Sequence, residues 1–234
     1  MVMKLDRVVP FGRSLDEYRL MFDLHPTNLH QRILGVGDGP ASFNAEGKAK
    51  GYQITSVDPI YQFSGEEIEQ RFKAVVDEII AQIIATPNNW VWSYHQNPQA
   101  LKASRIKTTK TFLQDYPLGK QEGRYLTQAL PNLNFSDRTY DLALCSHFLF
   151  LYSAHYDYDF HVAAIQEMLR VSQEVRIFPL LTLAQAESPY LLPAIAHFHC
   201  LGYATEVRKV SYELQPGGNQ MLVVSHPVLR NNKE

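Results

Sequence analysis

The chain has 234 residues, of which 45% are hydrophobic and 20% are charged, and its formal net charge is −2 at pH 7. This length favours a single domain with a substantial core. The balanced charge and the two cysteines argue against a nucleic-acid-binding protein and against a disulfide framework. No secretory leader or apolar run of membrane-spanning length is evident. We therefore predict one cytoplasmic domain over residues 1–234, with its oligomeric state left open.

The first predicted element is a helix over residues 14–24, within a helical segment of about residues 1–30 that covers one end of the domain. Ser14 and Glu17 have the spacing of a capping box. The apolar face of this helix either covers a sheet edge or folds over a ligand, which Arg13 or Tyr18 would then reach. That face carries Leu15, Tyr18, Met21 and Phe22.

A glycine-rich loop follows. Residues 33–42 predict a short apolar strand, then glycines at alternate positions, then a helix with Pro40 near its first position. Residues 54–57 predict a second buried strand that ends at Asp58. Ligands of doubly wound sheets bind where strands end, and glycines there allow close approach of a nucleotide. Asp58 would accept hydrogen bonds from both ribose hydroxyls, which indicates a nucleoside site. A tight turn without any ligand would show the same glycines.

The next predicted helix spans residues 64–85, where Ser64 and Glu67 form a second capping-box pattern. Apolar residues recur along it at the spacing of a core-facing stripe. They are Ile68, Phe72, Val75, Val76, Ile79, Ile80 and Ile83.

An insertion of about residues 86–125 then separates the second and third strands. It contains Trp90 and Trp92, and a predicted helix beginning at Pro98. The insertion is either a surface excursion with solvated cations or a lid that shapes a substrate pocket, because long insertions in compact domains are often functional. The cations of its helix are Lys102, Arg105, Lys107 and Lys110.

Acidic and histidine residues further along the chain do not form a convincing metal site. Asp157 and Asp159 precede a predicted helix, where carboxylates cap free N–H groups and suit the helix dipole. His161 lies on that helix, and His197 and His199 lie on a later one that ends at Gly202. We therefore predict no bound metal.

The carboxyl-terminal part predicts an antiparallel β-hairpin. Residues 205–212 and 221–224 are rich in β-forming side chains, and residues 215–219 form a turn cluster between them. A parallel α/β sheet that ends in such a hairpin differs from the dinucleotide-binding plan.

With the glycine loop and Asp58, this arrangement resembles the class I S-adenosylmethionine-dependent methyltransferases, a Rossmann-like family, over residues 33–225. The resemblance implies a three-layer, doubly wound α/β fold with a mostly parallel seven-stranded sheet and a carboxyl-terminal antiparallel hairpin. Two positions depart from the family pattern. Gly35 stands where an acidic residue usually precedes the first motif glycine, and Leu126 stands where an acid often binds the adenine amine.

The resemblance also implies the cofactor, S-adenosyl-L-methionine, and its contacts. Residues 127–129 would run past the adenine and contact it, and Ser146 and His147 would line the methionine end. The predicted cofactor-binding residues are Gly35, Val36, Gly37, Asp38, Gly39, Asp58, Pro59, Thr127, Gln128, Ala129, Ser146 and His147.

The methyl acceptor is expected to be a small molecule of apolar or aromatic character, because residues 146–161 are rich in aromatic side chains. Methyl transfer is an in-line displacement that depends mainly on positioning. His147 is the candidate catalytic residue wherever the acceptor must lose a proton. Candidate substrate contacts are Tyr18, Trp90, Trp92, Tyr152 and Tyr156.

Two other functions stay open from the sequence. A protein that binds S-adenosylmethionine or S-adenosylhomocysteine without catalysis would also lose the family's acids. A nicotinamide-dependent oxidoreductase would need the motif Gly-x-Gly-x-x-Gly. The third glycine position is held by Pro40 when the motif is counted from Gly35, and by Ser42 when it is counted from Gly37.

Overall fold

A seven-stranded sheet forms the centre of the computed structural model, which describes residues 8–227. The strand order is β3-β2-β1-β4-β5-β7-β6. β1 to β5 pair in parallel, whereas β7 is antiparallel to both β5 and β6. The predicted fold class is therefore confirmed. The strands are β1 (Arg32–Val36), β2 (Gln53–Val57), β3 (Tyr125–Leu126), β4 (Tyr140–Ser146), β5 (Ser172–Phe178), β6 (Ala204–Lys209) and β7 (Gln220–Ser225).

Helices cover both faces of this sheet. Side chains of α6 and α7 pack on one face and those of α1 and α3 on the other, so that alternate residues of β1 enter different cores. A further helix, α5, packs against α3, α4 and β3. The helices are α1 (Leu15–Met21), α2 (Pro26–Leu29), α3 (Phe43–Ala49), α4 (Gly65–Ile84), α5 (Pro98–Gln121), α6 (Tyr158–Val171) and α7 (Leu191–Cys200).

Local signals explain where two of the helices begin. Ser14 and Glu17 form a complete capping box at α1, and Ser64 and Glu67 form one at α4. The predicted stripe of α4 is buried except at Val75, which is partly buried. Residues 1–7 of the predicted N-terminal helical segment lie outside the described residues, as do residues 228–234 of the predicted domain.

The predicted helix start at Pro40 is wrong. α3 begins at Phe43, with Ser42 as its N-cap residue. Pro40 instead lies in the loop, and the amide of Ser42 donates to the carbonyl of Arg13 at 3.1 Å. This bond ties the loop to the chain that leads into α1.

The segment of residues 86–125 is largely part of the helical layer. α5 occupies residues 98–121, and Leu101 and Phe112 on it are fully buried. Residues 98–121 of the predicted insertion are therefore packed into the domain, and a lid role for the insertion stays a prediction. None of the helices among residues 8–227, including the long α4 and α5, is long and apolar enough to cross a membrane.

Candidate cofactor and acceptor site

The glycine loop after β1 is held in a conformation that favours glycine. Gly37 and Gly39 have φ angles of 68° and 54°, in the left-handed region. A Cβ on Gly37 would lie 3.3 Å from the side chain of Phe148. The amide of Gly37 donates to the carbonyl of Val57 at 2.9 Å, so the loop is fastened to the end of β2.

Gly35 has a different role, which involves Asp38. A Cβ on Gly35 would lie 1.8 Å from Oδ2 of Asp38, because the carboxylate folds back over the strand. Gly35 therefore leaves room for a carboxylate that comes from the loop. Position 35 departs from the family pattern because it is a glycine and not an acid. In the structure, however, the carboxylate of Asp38 lies beside this position.

The carboxyl of Asp38 is buried between two hydroxyl groups. The Tyr18 hydroxyl on α1 donates to Oδ1 at 2.6 Å, and the Ser56 hydroxyl on β2 donates to Oδ2 at 2.6 Å. Burial raises the pKa of Asp38 to about 7, against the lowering effect of these two hydrogen bonds. Asp38 thus titrates near neutral pH.

Asp58 is fixed at the carboxyl end of β2. One carboxylate oxygen accepts from the amide of Gly39 and the other from the amide of Ile60, both at 2.8 Å. Burial raises the pKa of this carboxyl, while the two amides lower it. Each oxygen keeps a further lone pair with which it can accept from a ligand hydroxyl.

These groups open into a cavity of about 380 Å³, here called the larger cavity. Of the predicted cofactor contacts, Gly35 lies beneath its wall, and Thr127 is exposed and lines neither this cavity nor the one described next. The remaining predicted cofactor contacts all line the larger cavity, together with Tyr18 and Tyr156. They are Val36, Gly37, Asp38, Gly39, Asp58, Pro59, Gln128, Ala129, Ser146 and His147.

A second cavity of about 80 Å³, here called the smaller cavity, adjoins the larger one. Trp90 and Tyr152 line it, whereas Trp92 packs against the apolar side chains of α4 and lines neither cavity. The two cavities share four wall residues, which come from the N-terminal stretch and from the loop after β4. They are Val9, Phe11, Arg13 and His147.

His147 lies at this shared wall in a constrained conformation. Its φ is 52°, its amide donates to the carbonyl of Phe178 at 2.6 Å, and its Nδ1 lies 3.0 Å from the Ser146 hydroxyl. Burial and the positive charges of Arg13 and Arg105 hold the pKa of His147 well below its usual range. A left-handed non-glycine residue that is held so firmly is typical of functional sites.

A buried ion pair lies behind the shared wall. Both carboxylate oxygens of Glu17 bind the guanidinium of Arg105, at 2.6 and 2.8 Å, and both side chains are fully buried. The Tyr212 hydroxyl also donates to Glu17, at 3.1 Å. The prediction that Arg105 is one of several solvated cations, or faces a substrate with them, is wrong, because α5 turns this residue into the core.

Sequence reasoning missed much of the lining. Phe148 and Phe160 come from segments that were noted only for their composition, and Arg71 and Phe63 were not singled out. Asp157 does what its position predicts, since its side chain accepts from the amide of Phe160 and caps α6.

Strand order, the glycine loop and the cavity at the strand ends define the class I methyltransferase fold. Solved structures agree. The methyltransferase domain of bacterial CtHen1 is 15% identical, with a TM-score of 0.52, and the match covers 91% of this chain and all of that one. An O-methyltransferase family protein from Burkholderia thailandensis is 10% identical, with a TM-score of 0.50, over 92% of this chain and 58% of that one.

A closer likeness in sequence defines the family. The uncharacterized protein MJ0045 of Methanocaldococcus jannaschii is 37% identical over 223 residues, which cover 95% of this chain and 98% of that protein. The chain belongs to the same family as MJ0045. No model of a known protein family matches it.

Proposed function

We propose that this protein is an S-adenosyl-L-methionine-dependent methyltransferase that acts on a small-molecule acceptor. One observation carries the proposal: a cavity with two carboxyl groups in its wall, at the ends of β1, β2 and β4, adjoins an apolar cavity at His147. A group-transfer enzyme needs this arrangement, because donor and acceptor must meet while water is excluded.

The lining of the larger cavity fits the donor. Asp58 can accept from ribose hydroxyls while backbone amides hold it, and the left-handed Gly37 and Gly39 leave space that side chains would fill. Asp38 is a buried carboxyl to which no side chain of residues 8–227 brings a positive charge within ion-pair distance, and a ligand ammonium would stabilise its ionised form. The bound donor would supply a methyl group on a sulfonium centre.

His147 is suited to a place beside such a centre. Its depressed pKa keeps the imidazole neutral at physiological pH, so that it does not repel a sulfonium. A neutral ring nitrogen can also accept the proton of an acceptor O–H or N–H as the new bond to carbon forms. His147 would thus position the acceptor in every case and act as a base only for acceptors that carry such a proton.

Calorimetric titration with S-adenosylhomocysteine tests the donor site. Asp58→Ala should weaken binding by about 1.5–3 kcal/mol, the scale for losing hydrogen bonds to a charged group. Asp77→Ala is the matched control, since Asp77 is an exposed residue of α4 that pairs with Lys102. If the wild-type protein fails to bind S-adenosylhomocysteine but binds NAD, the oxidoreductase hypothesis replaces the proposal.

Transfer of a labelled methyl group to a panel of small aromatic and aliphatic acceptors tests catalysis. We expect incorporation that His147→Ala reduces by a larger factor than it reduces the affinity for S-adenosylhomocysteine. Tight binding of S-adenosylhomocysteine with no transfer to any acceptor would instead support a binding protein without catalysis.

A further inference from the structure

The smaller cavity is apolar and aromatic, and residues 8–227 contribute a single permanently charged side chain to its wall. That side chain belongs to Arg13, since His147 is neutral. The aromatic rings that line the cavity are those of Phe11, Trp90, Tyr152, Phe178 and Tyr212. Pockets of this type bind an apolar body and use one polar group to orient it.

Arg13 has no ion-pair partner of its own among the described residues, although the more distant charge of Glu17 favours its protonated form. No described carboxylate lies within 4 Å of its guanidinium, and Glu17, the nearby acid, gives both oxygens to Arg105. One terminal nitrogen of Arg13 donates to the carbonyl of Phe11, while its Nε is buried without a hydrogen-bond partner. Burial and the charge of Arg105 lower the pKa of Arg13 to about 10, which still leaves it protonated at neutral pH.

We infer that the acceptor is a small apolar or aromatic molecule that carries a carboxylate, and that Arg13 binds this carboxylate at the wall between the two cavities. The inference rests on the proposed function and names the substrate class of the same site. The Arg13 side chain is half-buried and its Nε is buried without a hydrogen-bond partner, so an anion beside it would stabilise the charge. The planar guanidinium fork matches a carboxylate in two-point geometry.

The charge distribution favours the acceptor as the source of this carboxylate. The larger cavity carries a second cation, Arg71, besides Asp38 and Asp58, whereas Arg13 is the one permanently charged group that the described residues give the smaller cavity. An acid whose apolar part fills the smaller cavity would meet the guanidinium where the two cavities join. His147 lies at the same junction, so such a molecule would be held beside the proposed methyl group.

The test compares acids with their neutral amides in the presence of saturating S-adenosylhomocysteine. Four pairs are titrated by calorimetry: phenylacetate, benzoate, indole-3-acetate and 4-methylpentanoate, each with the corresponding amide. We expect at least one acid to bind the wild type about tenfold or more tightly than its amide. Arg13→Gln should remove that preference, Arg13→Lys should retain part of it, and Arg19→Gln should leave it unchanged. Arg19 is the matched control because it is an exposed arginine of the neighbouring helix.

Three results separate the possible failures. If wild-type protein does not bind S-adenosylhomocysteine, the proposed function fails. If it binds S-adenosylhomocysteine but prefers no acid over its amide in any of the four pairs, only the present inference is overturned. If Arg13→Gln weakens S-adenosylhomocysteine tenfold while the acid preference persists, Arg13 serves the donor's carboxylate instead. The wild-type comparison stands even if Arg13→Gln does not fold.

Discussion

Two buried carboxyl groups near the site, Asp38 and Glu17, have opposite electrostatic surroundings. Asp38 is held by two hydroxyls, and burial raises its pKa to about 7. Burial alone would also raise the pKa of Glu17, but the charge of Arg105 and hydrogen bonds from His95 and Arg105 hold it well below its usual range. Glu17 therefore has a counter-charge in Arg105, whereas none of the described residues forms an ion pair with Asp38.

The difference separates a structural group from one that fits a ligand. Glu17 and Arg105 compensate each other and join α1 to α5. In the part of the chain that the structure describes, Asp38 lines the larger cavity without an ion-pair partner, and Arg13 lines both cavities without one. Groups whose ionisation is incomplete or uncompensated in a cavity are candidates for ligand contacts. This pair of groups fits a donor with an ammonium and an acceptor with a carboxylate.

The largest expected effect comes from removing the negative charge of the Glu17–Arg105 ion pair. Glu17→Gln keeps a side chain that can complete the capping box, but it leaves Arg105 buried without a counter-charge. We expect the free energy of unfolding to fall by about 3–5 kcal/mol in chemical denaturation at pH 7. Because the pKa of Glu17 is depressed in the folded state, its contribution is present above about pH 4.5 and is lost as the pH falls further.

The neighbouring acid provides the control for this variant. Asp16 is exposed, accepts from the Tyr94 hydroxyl and lies 3.7 Å from Arg19. Asp16→Asn should change the free energy of unfolding by less than about 1 kcal/mol, the range of surface pairs. If the two variants have the same stability at pH 7, the Glu17–Arg105 pair does not stabilise the fold as described.

The glycine loop and its two acids could be predicted from the sequence more easily than the smaller cavity, for a physical reason. The glycine loop, Asp38 and Asp58 follow directly from two strands, so their meeting at one sheet edge is dictated by local order. The smaller cavity draws its wall from five separate segments, around residues 9–13, 79–90, 147–152, 178–183 and 212–218. Pairing between distant segments, such as Glu17 with Arg105, leaves no local pattern.

A second variant tests whether the loop serves the larger cavity. Gly37→Val places a Cβ 3.3 Å from Phe148 at a φ of 68°. Gly51→Val is the control, because its φ is 79° and a Cβ there meets nothing within 4 Å. Both variants should lose about 1–3 kcal/mol of stability from backbone strain. Only Gly37→Val should also weaken S-adenosylhomocysteine binding, at least about 30-fold or roughly 2 kcal/mol by calorimetry. Equal binding by the two variants would make the loop a simple turn.

The smallest effect on ligand affinity concerns the titration of Asp38 itself, which faces Tyr18 on α1, Ser56 on β2 and the nearby carboxyl of Asp58. With a raised pKa, folded protein without ligand holds a proton that the unfolded chain has lost. Its stability should therefore fall as pH rises from about 4 to 7.

A ligand ammonium favours the ionised carboxylate of Asp38, so the affinity for S-adenosylhomocysteine should rise with pH. If only the ionised form binds, affinity rises about tenfold between pH 6 and pH 8 for a pKa of about 7. Asp38→Asn should bind more weakly at pH 8 and show a flatter profile in the same calorimetric series. A wild-type profile that is flat, or that falls over this range, would show that Asp38 does not bind the ammonium. It would also leave the contrast between Asp38 and Glu17 as a property of the fold alone.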